Sequence, residues 1–205
     1  ELIVFNGRGE ERHALVGALQ RRGALLELRA ERTALPESPL DLILLQALPK
    51  ADAIDLIVQK ATELGARTIV PVYAEFSVVR IEGDRLDRRV EHWRRIAQSA
   101  CEQCGRHAPP KIAVPVALSD ALRELPSDVA KLALDPAAEG RLATAPRPAN
   151  GLVVAIGPEG GFAPADWRQL DASGFARATL GPRVLRAETA AIAACTIAQA
   201  QWGDL

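Results

Sequence analysis

The 205-residue sequence contains no methionine and only three cysteines, and aromatic residues make up 4% of it. A small, odd number of cysteines argues against a disulfide framework and is typical of a reducing cytoplasm. No apolar run approaches the ~20 residues that span a bilayer, and no signal-peptide pattern is present. These absences lead us to expect a cytoplasmic globular protein with no membrane partner.

The first part of the chain has the pattern of β-structure. Residues 2–5 resemble a strand, Asn6-Gly7 is a strong turn signal, and a further strand is expected at residues 25–28. Prolines 36 and 39 then indicate a linker. Because the chain opens on Glu1 in a strand-like run without a methionine, we expect further residues to precede it. The sequence predicts an incomplete N-terminal β domain at residues 1–36 and a second domain at residues 37–205.

The second domain alternates strand and helix patterns. Helical periodicity is expected at about 52–64 and 85–104, with Gly65 and Gly105 as helix ends, then from about residue 164 and at about 188–202. Pro71 suggests a strand end or an irregularity. This alternation predicts a mostly parallel α/β sheet, with strands expected at residues 42–45, 68–72, 112–116, 131–134, 152–156 and 178–180.

Two loops near the end of the chain carry glycine directly after an apolar strand. The first follows residues 152–156 and reads GPEGGF, and the second follows residues 178–180 and begins GPR. Ligands of open α/β sheets bind beyond the carboxyl ends of strands, and glycine lets a ligand approach the main chain. Each loop alone could be an ordinary turn, but the pair predicts one ligand site. The sequence contains neither the P-loop nor the G-x-G-x-x-G motif of other nucleotide sites.

The same two loops carry a family resemblance. IGPEGGF at residues 156–162 followed by LGPRVLRAETA at residues 180–190 resembles the RsmE family of SPOUT-superfamily RNA methyltransferases. KATELG at residues 60–65, HWRRIA at 92–97, Glu102-Gln103 and Gly105-Arg106 extend the resemblance over the whole chain.

The resemblance implies a fold and an activity. It implies a C-terminal trefoil knot, which general topology rules would not predict, a PUA-like N-terminal β-barrel and a homodimer with the last helix at its interface. It also implies S-adenosylmethionine-dependent methylation of uridine N3 in 16S ribosomal RNA of the small subunit. Two alternatives remain: methylation of another RNA base or a ribose 2′-OH, and a non-catalytic RNA-binding assembly factor.

Site residues follow by position in the matching motifs. Arg186 is the candidate for stabilising negative charge on uracil, although a phosphate contact or a salt bridge to Glu188 would equally explain it. Glu159 and Glu188 are candidates for a base or an orienting group, or for helix-start carboxylates. The resemblance implies cofactor contacts from Leu134, Ile156, Gly157, Pro158, Glu159, Gly160, Gly161, Leu180, Gly181, Val184, Leu185, Arg186 and Thr189.

The net charge of −1 gives no overall basic footprint of the kind expected for RNA binding. The stretch from Arg80 to Lys111 differs, because it holds eight Lys/Arg against five Asp/Glu. It is either a local RNA-binding surface or a solvated helix face. For the first case we expect RNA contacts from Arg88, Arg95 and Arg106.

Cys101 and Cys104, followed by His107, have the spacing of a metal-binding motif. Structural zinc needs four ligands, and Cys195 lies far along the chain. We therefore expect no metal and interpret both cysteines as small buried apolar residues.

Overall fold

The computed structural model describes residues 1–33, 35–50, 53–78 and 80–205. The first 32 residues form an antiparallel sheet of three strands, β1 (Leu2–Phe5), β2 (Glu11–Gln20) and β3 (Gly23–Arg32). The Asn6 side chain accepts the amide hydrogens of Arg8 and Glu10, which produces the expected turn. This sheet leaves many apolar side chains exposed, among them Leu2, Ile3, Val16, Leu19, Leu25 and Leu28.

The remaining elements alternate between strand and helix. They are β4 (Leu42–Ala47), α1 (Ala53–Glu63), β5 (Thr68–Tyr73), α2 (Asp84–Cys104), β6 (Lys111–Ile112), β7 (Val116–Ala117), α3 (Leu118–Glu124), β8 (Ala130–Leu134), a 3₁₀ turn (Leu142–Thr144), β9 (Leu152–Ile156), α4 (Pro164–Ala172), β10 (Ala176–Ala178) and α5 (Ala187–Trp202). The expected start of the first helix at Asp52 lies outside the described residues.

The seven strands of this part form a parallel sheet in the order β10-β8-β9-β4-β5-β6, with β7 also pairing with β5. The expected mostly parallel α/β sheet is therefore confirmed. All six residues of β4 are buried, because helices cover both faces of the sheet. One core joins the sheet to α1, α2 and α5, and the other joins it to α3 and α4. Two covered faces are what a parallel sheet requires.

Two strand predictions were wrong in their bounds. The run at 112–116 divides into β6 and β7, because Pro115 has no amide hydrogen for a continuous ladder. The last strand ends at Ala178 rather than Leu180. Its partner β8 ends at Leu134, and Thr179 instead exchanges backbone hydrogen bonds with the segment 140–142.

Glycine ends the first two helices as expected. Gly65 (φ 76°) and Gly105 (φ 82°) both adopt left-handed backbone, which glycine adopts at little cost. Gly65 also lies against Gln199 of α5, whose side-chain amide donates to the Leu64 carbonyl at 3.0 Å and accepts from the Ser38 hydroxyl at 2.6 Å. The last helix is thereby fixed to the end of α1 and to the linker.

Candidate active site

A pocket lies where the carboxyl ends of β10, β8 and β9 meet. These three strands are neighbours in the sheet and all run parallel, so the loops that follow them converge. The first turn of α5 closes the pocket from the side. The cavity holds roughly 600 Å³, part of it open to solvent, and is lined by Leu134, Asp135, Pro136, Ile156, Gly157, Pro158, Glu159, Gly161, Ala178, Thr179, Leu180, Arg183, Val184, Leu185, Ala187 and Ala190.

The loop after β9 is a tight turn that needs glycine at two positions. The Gly161 amide donates to the Pro158 carbonyl at 2.8 Å, and Gly161 has φ 72°. A Cβ atom at Gly157 would lie 3.0 Å from the Gly161 carbonyl carbon. The loop therefore folds back on its own backbone, and its main chain forms one wall of the pocket.

The loop after β10 is held by a side chain of its own. The Thr179 hydroxyl accepts the Gly181 amide hydrogen at 3.1 Å and donates to the Gly181 carbonyl at 2.9 Å. Gly181 has φ 129°, a conformation that side chains rarely allow. This arrangement brings Arg183, Val184 and Leu185 to the opposite wall.

Most, but not all, of the expected cofactor residues line this pocket. Those outside its lining are Gly160, Gly181, Arg186 and Thr189. A Cβ atom at Gly160 would lie 3.4 Å from the Phe76 Cβ, so this glycine faces the loop after β5 rather than the pocket. Seven residues of the lining were not predicted from the sequence: Asp135, Pro136, Ala178, Thr179, Arg183, Ala187 and Ala190. Two signals could have found some of them: Asp135 directly follows a strand, and Ala187 and Ala190 share a helix face.

Carboxylates at the pocket are hydrogen-bonded. The Glu159 carboxylate accepts the Lys50 amide hydrogen at 2.8 Å. The Asp135 carboxylate accepts from the Ala137 amide at 2.9 Å and from Arg177 at 3.3 Å. Arg177 also bonds to Asp171 and stacks 4.2 Å from the centre of the Trp167 ring. The hydrogen bond to Asp171 is the main reason that the Arg177 pKa is raised.

Asp166 fixes the neighbouring loop. This buried carboxylate accepts the amide hydrogens of Ala163, at 3.0 Å, and Glu75, at 3.2 Å. It therefore ties the start of α4 to the loop after β5.

Arg186 and Glu188 lie at the start of α5. Arg186 is the residue just before the helix, and its side chain is 84% exposed. Its guanidinium lies 4.0 Å from the Glu188 carboxylate, at the outer limit of an ion pair. The pair therefore leaves the Arg186 guanidinium largely open to solvent beside the pocket loop.

The three expected RNA-contacting arginines have different environments. Arg88 and Arg95 are exposed on α2, and each Nε donates to a carbonyl of its own helix. The Arg106 side chain is only 13% exposed. It donates to the Glu37 carboxylate at 2.6 Å and to the carbonyls of Thr62 and Ala66. Arg106 therefore clamps the linker to the end of α1, and this environment gives no support to an RNA contact.

Asp55 joins the first two helices. The His92 Nε2 atom is hydrogen-bonded to the Asp55 carboxylate at 2.7 Å, and the Trp93 indole N–H donates to it at 3.0 Å. The Arg89 guanidinium lies 3.6 Å from the same carboxylate. The HWRRIA motif thus packs α2 on α1, which gives His92 and Trp93 a structural role.

Two of the three cysteines, Cys101 and Cys195, are buried. Burial raises the pKa of Cys101 to about 11 and that of Cys195 to about 12, while Cys104 is half-buried. Both raised pKa values disfavour the thiolate that metal binding needs. Within the described ranges no cluster of three or more His, Cys, Asp or Glu side chains could hold a metal ion, and no described helix is long and apolar enough to cross a membrane.

The sequence matches a known protein family and several of its members. Residues 36–199 match the RNA methyltransferase domain family. Ribosomal RNA small subunit methyltransferase E of Buchnera aphidicola (Schizaphis graminum) is 34% identical over 82% of this chain and 69% of its own length. The Mycobacterium tuberculosis protein of that name is 31% identical over 95% of this chain and 76% of its own length. The match to a second Buchnera relative spans 66% of that protein's length.

Two solved structures have the same fold. A Legionella pneumophila methyltransferase in complex with SAM superposes with a TM-score of 0.93, 36% identity, and coverage of 99% of this chain and 84% of that one. Ribosomal RNA small subunit methyltransferase E from Neisseria gonorrhoeae, bound to S-adenosyl methionine, superposes with a TM-score of 0.92 and is 35% identical. The match covers 100% of this chain and 84% of that one. The family expected from the two glycine loops is thus confirmed: the chain belongs to the ribosomal RNA small subunit methyltransferase E family of RNA methyltransferases.

Proposed function

We propose that the protein transfers the methyl group of S-adenosylmethionine to N3 of a uridine in 16S ribosomal RNA. The observation that carries this proposal is the pocket of backbone and apolar side chains at the carboxyl ends of β10, β8 and β9. Membership of a family whose Neisseria member is solved with the cofactor bound supports it. Since the proposed substrate is small-subunit ribosomal RNA, we also propose a cytoplasmic location.

The pocket fits the cofactor. Adenine suits a slot with apolar walls and backbone polar groups, which Ile156, Leu180 and the glycine turn supply. Gly157 and Gly161 keep side chains away from one wall. The cofactor is a cation at its sulfonium and ammonium groups, and the carboxylates of Asp135 and Glu159 line the cavity. When bound, the cofactor supplies an electrophilic methyl group.

The acceptor must lose a proton before it can react. The uridine N3–H bond breaks and its proton passes to solvent; N3 then bonds to the methyl carbon as the carbon–sulfur bond breaks and its electron pair returns to sulfur. The negative charge that develops on uracil spreads to O2 and O4. A fixed cation beside these oxygens would stabilise it. Arg186 stands at the pocket loop with an exposed guanidinium, and we assign it this role, with Glu188 as the carboxylate that orients it.

The RNA would also contact surfaces outside the pocket. We assign phosphate contacts to Arg88 and Arg95 on α2 and to the N-terminal sheet. The exposed apolar residues of that sheet support its interpretation as part of a larger, PUA-like β-barrel. A barrel would cover them.

The proposal extends to a trefoil knot and a homodimer. The hydrogen bonds between Thr179 and the segment 140–142 bring the chain after β10 against another loop, as threading would require. Val184 is 82% exposed beside the start of α5. A single exposed apolar side chain does not by itself mark an interface, so the homodimer with α5 at its interface is proposed from membership of the family.

One experiment tests the proposed function. The protein is incubated with labelled S-adenosylmethionine and small ribosomal subunits that lack the modification, and the methylated nucleotide is then mapped. Label at N3 of one uridine is the expected result. Label at a ribose 2′-OH or another base would replace the proposed target. Cofactor binding without transfer to any RNA would indicate an assembly factor.

A further inference from the structure

Glu159 and Lys50 connect two neighbouring loops at the pocket. They follow β9 and β4, which are paired strands. The Glu159 carboxylate lines the cavity and accepts the Lys50 amide hydrogen at 2.8 Å. The backbone of Lys50 is thereby fixed to the loop that forms the cofactor wall, although Lys50 belongs to a different segment of the chain.

The Lys50 side chain is left available by this arrangement. It is exposed, and among the described residues no carboxylate lies within ion-pair distance of its ammonium group. The Glu159 carboxylate accepts the backbone amide hydrogen of Lys50 and forms no ion pair with the Lys50 ammonium group. Of the other cations nearby, Arg177 bonds to Asp135 and Arg186 lies 4.0 Å from Glu188, whereas Arg183 of the cavity wall, like Lys50, has no ion pair among the described residues. Lys50 therefore has a fixed backbone at the edge of the pocket and, within the part of the chain that the structure describes, an ammonium group without an ion pair.

We propose that Lys50 contacts the uracil of the substrate and stabilises the negative charge that forms on O2 and O4 as N3 loses its proton. Glu159 is then a positioning residue, which acts by holding the Lys50 backbone and takes no proton. This inference rests on the proposed function. It assigns the carboxylate of the GPEGGF motif to loop positioning and adds a second cation to the proposed site.

The position of Lys50 favours uracil over phosphate as its contact. Its backbone is tied to the same loop that carries Gly157 and Gly161, so the point from which the side chain extends keeps its place relative to the cofactor wall. The flexible stem of lysine lets a compact charge reach an oxygen of the base. The exposed arginines of α2 have no such tie to the pocket.

The test compares four single variants and the double variant Lys50→Ala with Glu159→Ala against the wild-type protein and a control. Lys50→Ala removes the cation and Lys50→Arg keeps the charge. Glu159→Ala removes the acceptor for the amide hydrogen, whereas Glu159→Gln keeps an oxygen acceptor without a basic carboxylate. Arg168→Ala, on the exposed face of α4, is the control, because it removes an exposed cation with no ion pair among the described residues. The methylation rate constant is measured in single turnovers at saturating cofactor and RNA, over a range of pH.

We expect Lys50→Ala to lower the rate constant at neutral pH by about 10²-fold, as the loss of one fixed charge-stabilising group does. Its pH–rate profile should move to higher pH, because N3 ionises less readily without the cation. Cofactor affinity measured by calorimetry should not change. Lys50→Arg should restore part of the rate, Glu159→Gln should restore most of what Glu159→Ala loses, and Lys50→Ala with Glu159→Ala should cost little more than Lys50→Ala alone. Arg168→Ala should match the wild type.

Three results would overturn the assignment. A normal rate and pH profile in Lys50→Ala, with wild-type methylation intact, would remove Lys50 from the site. Weaker RNA binding and a smaller salt dependence at an unchanged maximal rate would make it a phosphate contact. Equal loss in Glu159→Gln and Glu159→Ala would make Glu159 a base. Absence of uridine N3 methylation by the wild-type protein would instead overturn the proposed function, and this inference with it.

Discussion

Gly157 packs so closely on Gly161 that a Cβ atom at residue 157 would lie 3.0 Å from the carbonyl carbon of residue 161. The neighbouring Gly160 has ordinary contact distances, since its Cβ would meet the exposed side chain of Phe76 at 3.4 Å. The same substitution at these two positions should therefore have different effects on the pocket.

Gly157→Ala should weaken cofactor binding, because a backbone contact cannot move aside without opening the turn. We expect a loss of about 5- to 150-fold in calorimetric affinity, since opening the turn costs about 1–3 kcal/mol of strain. Gly160→Ala should bind the cofactor normally. Equal affinities for the two variants would show that the turn does not form the pocket wall.

Gly65→Ala should destabilise the protein by more than its backbone conformation alone explains. The new Cβ would lie 2.4 Å from Nε2 of Gln199, in addition to the strain of φ 76°. Gly105→Ala is the matched control, because it has φ 82° and no neighbour within 4 Å. We expect the control to lose about 1–2 kcal/mol of unfolding free energy and Gly65→Ala to lose more, measured by urea denaturation. Equal losses would remove any role for Gln199.

The buried cysteines predict a decline in stability at alkaline pH. Burial raises the folded-state pKa of Cys101 to about 11 and of Cys195 to about 12, from an ordinary value of 9.0. Above pH 9 the unfolded chain therefore binds fewer protons than the folded one, and the unfolding free energy falls as pH rises. Replacing Cys195 by alanine should reduce this slope between pH 9 and pH 11. An unchanged slope would contradict the assignment of the decline to this thiol.

Thiol reagents should distinguish the three cysteines. At pH 8 a native sample should react first at half-buried Cys104, because Cys101 and Cys195 are buried and protonated. Mass spectrometry after alkylation identifies the modified residue. Rapid labelling of Cys195 in the folded protein would show that the core around α5 opens.

Arg88→Glu combined with Arg95→Glu should weaken RNA binding and flatten its salt dependence. Two phosphate contacts would release about two fewer counterions, a change in the logarithmic salt slope of about 1.8. Filter binding across salt concentrations measures this slope, and cofactor affinity should stay unchanged. A wild-type slope in the double variant would make this helix face a solvated surface.

Arg186→Ala should lower the methylation rate far more than it lowers cofactor affinity. An interaction made only in the transition state has this signature. Single-turnover rates and calorimetry on the same variant give the two quantities. Equal losses in both would make Arg186 a binding residue, and Arg186→Lys then tests whether the charge alone is sufficient.

The architecture was largely predictable because its signals are local. The apolar run that became β4, the helical period of α2 and the glycines after α1 and α2 each depend on a few adjacent residues. The rule that ligands lie beyond strand carboxyl ends then located the pocket at Ile156 and Leu180. The end of β10 was not predictable in this way, because it depends on where its partner β8 ends at Leu134.

The directions in which individual side chains point were the main feature that the sequence did not predict. The motif gave Gly160 and Gly161 equal weight, but only the folded turn shows that Gly160 faces Phe76. Arg106 likewise belonged to a basic stretch of sequence, and its burial against Glu37 depends on the path of a linker almost seventy positions earlier. Contacts between distant segments decide such cases, and a single sequence does not reveal them.

The central place of β4 in the sheet has a consequence for how the chain folds during synthesis. β4 pairs on one side with β5, which follows soon after it, but on the other side with β9, whose residues 152–156 emerge from the ribosome much later. Until then the fully buried strand has an open, apolar edge, a feature that slows folding and favours aggregation. We expect co-translational folding of the second domain to wait for β9, and the pocket to form only after α5 has been made.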